Sequence, residues 1–180
     1  MPRAQQMIAI RPYSAQQLDA VIDVFERSVR QIASRDYTPA QIAAWAPAQA
    51  DRATWAARLS GDGVLVAEFD SDIAGFASID RQGHIDLFFV HPGFRRQGVA
   101  RSLYEHVACW AMERGIAHLS ADVSITARPF FERAGFRVQK SQEVERHGEL
   151  LRNFFMKRAL EATAANGLGT RKKPRFGGTS

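Results

Sequence analysis

Over residues 15–32 the apolar side chains Leu18, Val21, Ile22, Phe25, Val29 and Ile32 return every three or four positions, the spacing that lines one side of an α-helix. Ser14 precedes the run as an N-cap. Two shorter helices follow. Thr38 and Pro39 supply a cap and a first-turn proline ahead of Ile42 and Trp45, and Asp51 opens a stretch carrying Trp55 and Leu59 that Gly61 closes. The pattern then shortens. Residues 64–69 and 73–79 are apolar runs joined by Asp70, Ser71 and Asp72, which predicts a β-hairpin. A turn around residues 81–83 leads to Ile85, Asp86, Leu87, Phe88, Phe89 and Val90, a strand closed by Pro92. Helical spacing resumes with Val99, Leu103, Val107 and Trp110 and stops near Gly115. Residues 119–123 predict another strand, residues 128–134 a short helix ended by Gly135, and residues 136–144 and 149–156 a closing hairpin about His147 and Gly148. Residues 7–11, ended by Pro12, add a first strand.

This order predicts an α/β fold: a mixed sheet of about seven strands with helices on both faces. A helix separates residues 85–90 from residues 119–123, so those two strands run parallel at its centre. The 180 residues suffice for one domain, and 46% hydrophobic with 24% charged positions is ordinary for a globular chain. The net charge of +5 is unevenly placed, because Glu161, Arg171, Lys172, Lys173 and Arg175 give +3 after residue 160. The expected division is a folded domain at residues 1–160 and a basic flexible tail at residues 161–180. With the charge in a tail rather than a stripe, nucleic acid is disfavoured as a partner. Cys109 stands alone, which excludes an intrachain disulfide and a cysteine metal cluster; it is expected in the core, and no metal is expected. There is no apolar run of membrane-spanning length and no signal-peptide core, so a cytoplasmic protein without a membrane partner is expected.

The chemistry concentrates just after the central strand. Pro92 and Gly93 stop it, and Phe94, Arg95, Arg96, Gln97, Gly98, Val99 and Ala100 then open a long helix. Free N–H groups of a first turn, the helix dipole and two arginines form a place for an anion, and Gly98 and Ala100 keep side chains out of its way. A Walker loop needs Lys-Ser/Thr after its last glycine, and Val99 and Ala100 stand there; a Rossmann loop needs three glycines, and only Gly93 and Gly98 are present. Arg95, Gly98 and Ala100 do fill the pattern Arg/Gln-x-x-Gly-x-Gly/Ala.

With Phe88, Val90 and Pro92 before that pattern and Ala127, Phe130, Phe131, Gly135 and Phe136 well after it, the chain resembles the GNAT superfamily of acetyl-CoA-dependent N-acetyltransferases. The resemblance extends over residues 7–158 and is strongest at residues 85–136. It implies that acetyl-CoA enters between two diverging parallel strands, with the amides of Arg96 to Ala100 on its diphosphate, Val90 pairing with the pantetheine arm, and the Phe88 amide facing the thioester oxygen. The cofactor-contacting set it implies is Phe88, Phe89, Val90, Arg95, Arg96, Gln97, Gly98, Val99, Ala100, Arg101, Ser124 and Phe131. The implied function is acetyl transfer to the amine of a small molecule; stand-alone bacterial members look similar, some serving detoxification. The alternative is a non-catalytic acyl-CoA-binding sensor, suggested by Phe131, which stands where many members carry a tyrosine that protonates the departing thiolate, and by Ser124, which replaces the usual asparagine.

An amine acceptor must lose a proton before attack. Period-two alternation places His84, Asp86 and Phe88 on one strand face, and the arylalkylamine branch of the superfamily has two histidines at positions that His84 and Asp86 match. Asp122 ends the neighbouring parallel strand, where open sheets place their sites. The expected catalytic set is Asp86, His84, Asp122 and Ser124, with an arginine partner for Asp86 and a turn-capping role for Asp122 as the structural alternatives. Tyr37, Trp45 and His84 are expected at the acceptor, and Glu143, Glu145, His147 and Asn153 of the closing hairpin are within its reach. Ser124, Tyr104 and Tyr37 are the hydroxyls available to the thiolate. Exposed edge strands would allow a homodimer.

Overall fold

The computed structural model describes residues 7–161; the basic residues 171–175 of the expected tail lie outside the described residues. Seven strands form one sheet in the order β1-β2-β3-β4-β5-β7-β6. They are β1 (Ile8–Pro12), β2 (Val64–Phe69), β3 (Asp72–Ile79), β4 (His84–Val90), β5 (His118–Ser124), β6 (Arg137–Arg146) and β7 (Glu149–Ala159). The helices are α1 (Leu18–Gln31), α2 (Pro39–Trp45), α3 (Arg52–Arg58), α4 (Val99–Glu113) and α5 (Arg128–Arg133). Thr38 caps α2 as its sequence predicts: its Oγ1 accepts from Gln41 N at 3.2 Å and Gln41 Oε1 accepts from Thr38 N at 2.9 Å. Asp51 caps α3 through Ala53 N and Thr54 N.

The sheet carries a core on each face. Val21, Val29, Trp55, Leu59, Val66 and Phe76 pack under α1, α2 and α3, while Leu103, Val107, Leu119, Phe131 and Met156 pack under α4 and α5. Gly75 lets α4 lie close to β3: a Cβ there would stand 2.9 Å from the Phe89 carbonyl oxygen and 3.0 Å from Leu103 Cδ1. Cys109, expected inside, is exposed. It lies on the outer face of α4 with its thiol toward Glu113 Oε1 at 3.5 Å, and that carboxylate, with a little burial, raises the thiol pKa above its ordinary value.

Two departures from regular sheet geometry make the site. The parallel pair β4 and β5 is in register only at His84↔Ser120 and Ile85↔Ala121, so beyond Ile85 the edge of β4 that faces β5 has no strand partner. The strands part there. The second departure is a β-bulge in β4. Ser78 pairs with Leu87 and Ile79 with Ile85, which leaves Asp86 as the inserted residue. Ile85 and Phe88 therefore pack on the α4 face while Leu87 and Phe89 pack on the α1 face. The expectation that His84, Asp86 and Phe88 share one face is corrected by this bulge: Phe88 turns to Phe130 and Phe131 of α5, at ring distances of 5.4 and 5.5 Å.

Candidate active site

The loop between β4 and α4 is built to leave amides free. His91 Nδ1 accepts from Gly93 N at 3.0 Å and the His91 carbonyl accepts from Phe94 N at 3.0 Å, which folds the Pro92–Phe94 turn. Arg96 (φ 59°) and Gly98 (φ 84°) then adopt left-handed backbone, a sequence of turns that gathers successive N–H groups into a concave nest. The first helical bond at this end is Ser102 N to the Gly98 carbonyl, 3.0 Å. Among the described residues, none of the N–H groups of residues 96–101 reaches a protein acceptor. The nest thus heads the 15-residue α4, where the dipole also favours an anion.

From the nest a cavity of about 400 Å3 runs along the unpaired edge of β4 between Phe88, Val90, Phe130 and Ser124. A second cavity of about 510 Å3 opens on the α1 face, lined by His84, Asp86, Asp122, Arg146 and Asn153. Trp45, Phe89 and Ser124 line both. The two cavities therefore meet at the point where the strands diverge. Trp45, half-buried on α2 and edge-on to Tyr37 at 5.4 Å, is the wall at that junction.

The polar groups of the second cavity are already partly committed. Asp86 is held in a two-point ion pair by Arg58, with Nε to Oδ2 at 2.8 Å and Nη2 to Oδ1 at 3.0 Å, which ties β4 to α3. Asp122 takes a hydrogen bond from Gln142 Nε2 at 2.6 Å on Oδ1 and caps no turn. Its Oδ2 lies 3.6 Å from His84 Nε2. His84 Nδ1 meets Ser120 Oγ at 3.0 Å, which fixes the ring and leaves Nε2 toward the cavity. Ser124 Oγ accepts from Ala127 N at 3.0 Å; its own proton remains available.

Neither tyrosine offered for the thiolate is free to serve it. Tyr37, 7% exposed, donates to the Arg152 carbonyl at 2.6 Å and accepts from Ile125 N at 2.9 Å. It ties β7 to the end of β5 beside Ser124, and burial raises its pKa above the ordinary phenol value. Removing that hydroxyl leaves a carbonyl and an N–H without partners, so Tyr37→Phe is expected to lower unfolding stability by about 1–3 kcal/mol, measured as a lower urea midpoint at unchanged m. Tyr104 is likewise buried and raised, and its hydroxyl accepts from Arg158 Nη1 at 2.5 Å. It lines neither cavity.

His147 and Asn153 line the second cavity, and His147 Nδ1 donates to the Ala44 carbonyl at 2.9 Å, pinning the hairpin turn to α2. Glu143 and Glu145 are exposed and absent from its wall. The sequence reading missed Arg58, Ser120, Gln142 and Arg146. Val144 was the available signal for two of them, because the apolar residue of residues 142–146 marks the inward face, and alternation puts Gln142 and Arg146 beside it. Nothing local signals Arg58.

A splayed parallel pair has a nest of free amides at one side and a polar cavity at the other, and comparison with known proteins identifies the class of enzyme that carries this arrangement. The family model of the acetyltransferase (GNAT) domain matches residues 33–158. The Escherichia coli (strain K12) protein called uncharacterized N-acetyltransferase YafP is 38% identical over 150 residues, covering 83% of this chain and 95% of that one. A GCN5-related N-acetyltransferase structure from Rhodopseudomonas palustris superimposes with a TM-score of 0.83 at 33% identity, covering 88% of this chain and all of that one. The putative acetyltransferase yncA of Salmonella typhimurium, solved with its cofactor acetyl-CoA, shares the fold at a TM-score of 0.65 and 20% identity, covering 89% and 98% of the two chains. The chain belongs to the GNAT acetyltransferase family and is an N-acetyltransferase. No helix among the described residues is long and apolar enough to cross a membrane.

Proposed function

We propose that the protein moves an acetyl group from acetyl-CoA to the amine of a small molecule. The observation that carries this reading is the meeting of the two cavities at Phe89, Trp45 and Ser124, which gives a thioester and an amine one shared point of contact. The nest at Arg96, Gln97, Gly98, Val99, Ala100 and Arg101 fits a diphosphate, since its amides have no protein acceptor and Arg95 and Arg96 add charge. The slot beside Phe88, Phe89, Val90 and Phe131 fits the pantetheine arm. When bound, acetyl-CoA supplies the activated acyl group.

The chain's own groups then handle protons. In this reading an incoming ammonium bridges His84 Nε2 and Asp122 Oδ2, which are 3.6 Å apart, from the cavity side; Asp122 holds the charge and His84 accepts the proton. Asp86 serves as a positioning residue that fixes α3 against β4. The departing thiolate takes its proton from water, with Ser124 Oγ at the junction hydrogen-bonding the sulfur and able to relay that proton by taking up another as it gives its own, in the role that Phe131 cannot fill. The same reading places the enzyme in the cytoplasm with no membrane or nucleic-acid partner, and the sheet edges β1 and β6 leave surface for a homodimer.

Free thiol released from acetyl-CoA across an amine panel tests the function. Amine-dependent release supports it. Acetyl-CoA binding without release from any amine would favour the sensor reading, to which Phe131 points.

A further inference from the structure

The second cavity holds more charge than an amine alone calls for. Arg58 is consumed by Asp86, and the Nε of Arg152 donates to Ser141 Oγ at 3.0 Å. Asp122 and His84 face each other. Arg146 is left: among the described residues its guanidinium makes neither a hydrogen bond nor an ion pair, yet it lines the cavity. It shares this side of the cavity with Arg58, Asp86 and Asp122, and the first of these already holds the second. Arg146 is exposed at the rim of the cavity, so its guanidinium is solvated and open to an anionic group of a bound molecule.

We propose that the acceptor is a small amino carboxylate, whose amine goes to His84 and Asp122 and whose carboxylate is taken by Arg146. The inference rests on the acetyl-transfer reading and adds the substrate class to it. The guanidinium fork matches a carboxylate in two parallel hydrogen bonds, and Gln142 and Arg146 project from the same side of β6, so one wall serves both ends of the molecule. A cavity of about 510 Å3 admits an amino acid with its side chain. A substrate carrying only positive charge would meet Arg146 as a repulsive neighbour.

The test is thiol release from acetyl-CoA with matched pairs of L-amino acids and their carboxamides. The carboxamides have the more acidic ammonium, so amine availability by itself favours them. The expected result is a kcat/KM for the acids higher by about 10-fold or more, the scale of one charge-assisted hydrogen bond. In Arg146→Gln that ratio collapses toward one, and in Arg146→Lys, which keeps charge without the fork, it falls part of the way. If Arg146→Gln does not fold by circular dichroism, Arg146→Lys decides. Equal rates for acid and amide in the natural protein, or a ratio that survives the substitution, would overturn the amino carboxylate while leaving acetyl transfer standing. No release from any amine, with coenzyme A still bound, overturns both.

Discussion

Gly98→Val is expected to weaken coenzyme A binding by about 100-fold, which corresponds to about 2.7 kcal/mol. Two effects add. Gly98 sits at φ 84°, where a β-branched side chain is strained by about 1–2 kcal/mol, so the turn relaxes and the amides on either side of it swing out of the nest. Each charge-assisted hydrogen bond lost to the diphosphate is worth about 1.5–3 kcal/mol. The nearest atom to an added Cβ is Ile8 Cδ1 at 3.8 Å, which leaves room inside the protein, so the loss falls on the ligand more than on packing. Titration calorimetry with coenzyme A reads the effect, and Gly98→Ala should lie between the two. Natural affinity in the valine variant would sink the proposed docking.

His84→Gln is expected to lower kcat/KM for the acceptor by about 10²–10³-fold, within the range of a lost general base, with little change in the KM for acetyl-CoA. Glutamine can still bond Ser120 Oγ, which His84 Nδ1 meets at 3.0 Å, so the strand end is preserved while the proton acceptor is removed. Asp122→Asn removes the charge beside Nε2 but can keep an oxygen for Gln142 Nε2; it should raise the acceptor KM as well as lower kcat. A kcat/KM unchanged in His84→Gln would assign the base to another group.

Of the groups that make the candidate site, the nest was the most legible. Proline, glycine and the following helical period lie within ten residues of one another, and the left-handed turn at Gly98 depends on neighbours along the chain. The acceptor cavity was only half legible. His84 and Asp122 could be placed on adjacent strand ends, but the face shared by His84, Asp86 and Phe88 could not, because a bulge is set by how β3 pairs with β4. The arginine alternative for Asp86 was visible as a class; that Arg58, 28 residues earlier, fills it required α3 to be laid across the sheet.

The amino-acid sequence by itself determined the order of strands and helices, their caps, and the open amides at the head of α4, all of which follow from backbone preferences and periodicity over a few residues. Only the tertiary structure decided which charges are spent and which remain. Asp86 went to Arg58, Asp122 to Gln142 and His84, and Arg146 was left facing the cavity. Those outcomes turn on the register of distant strands, where a shift of one position carries a side chain to the opposite face and exchanges every partner it has.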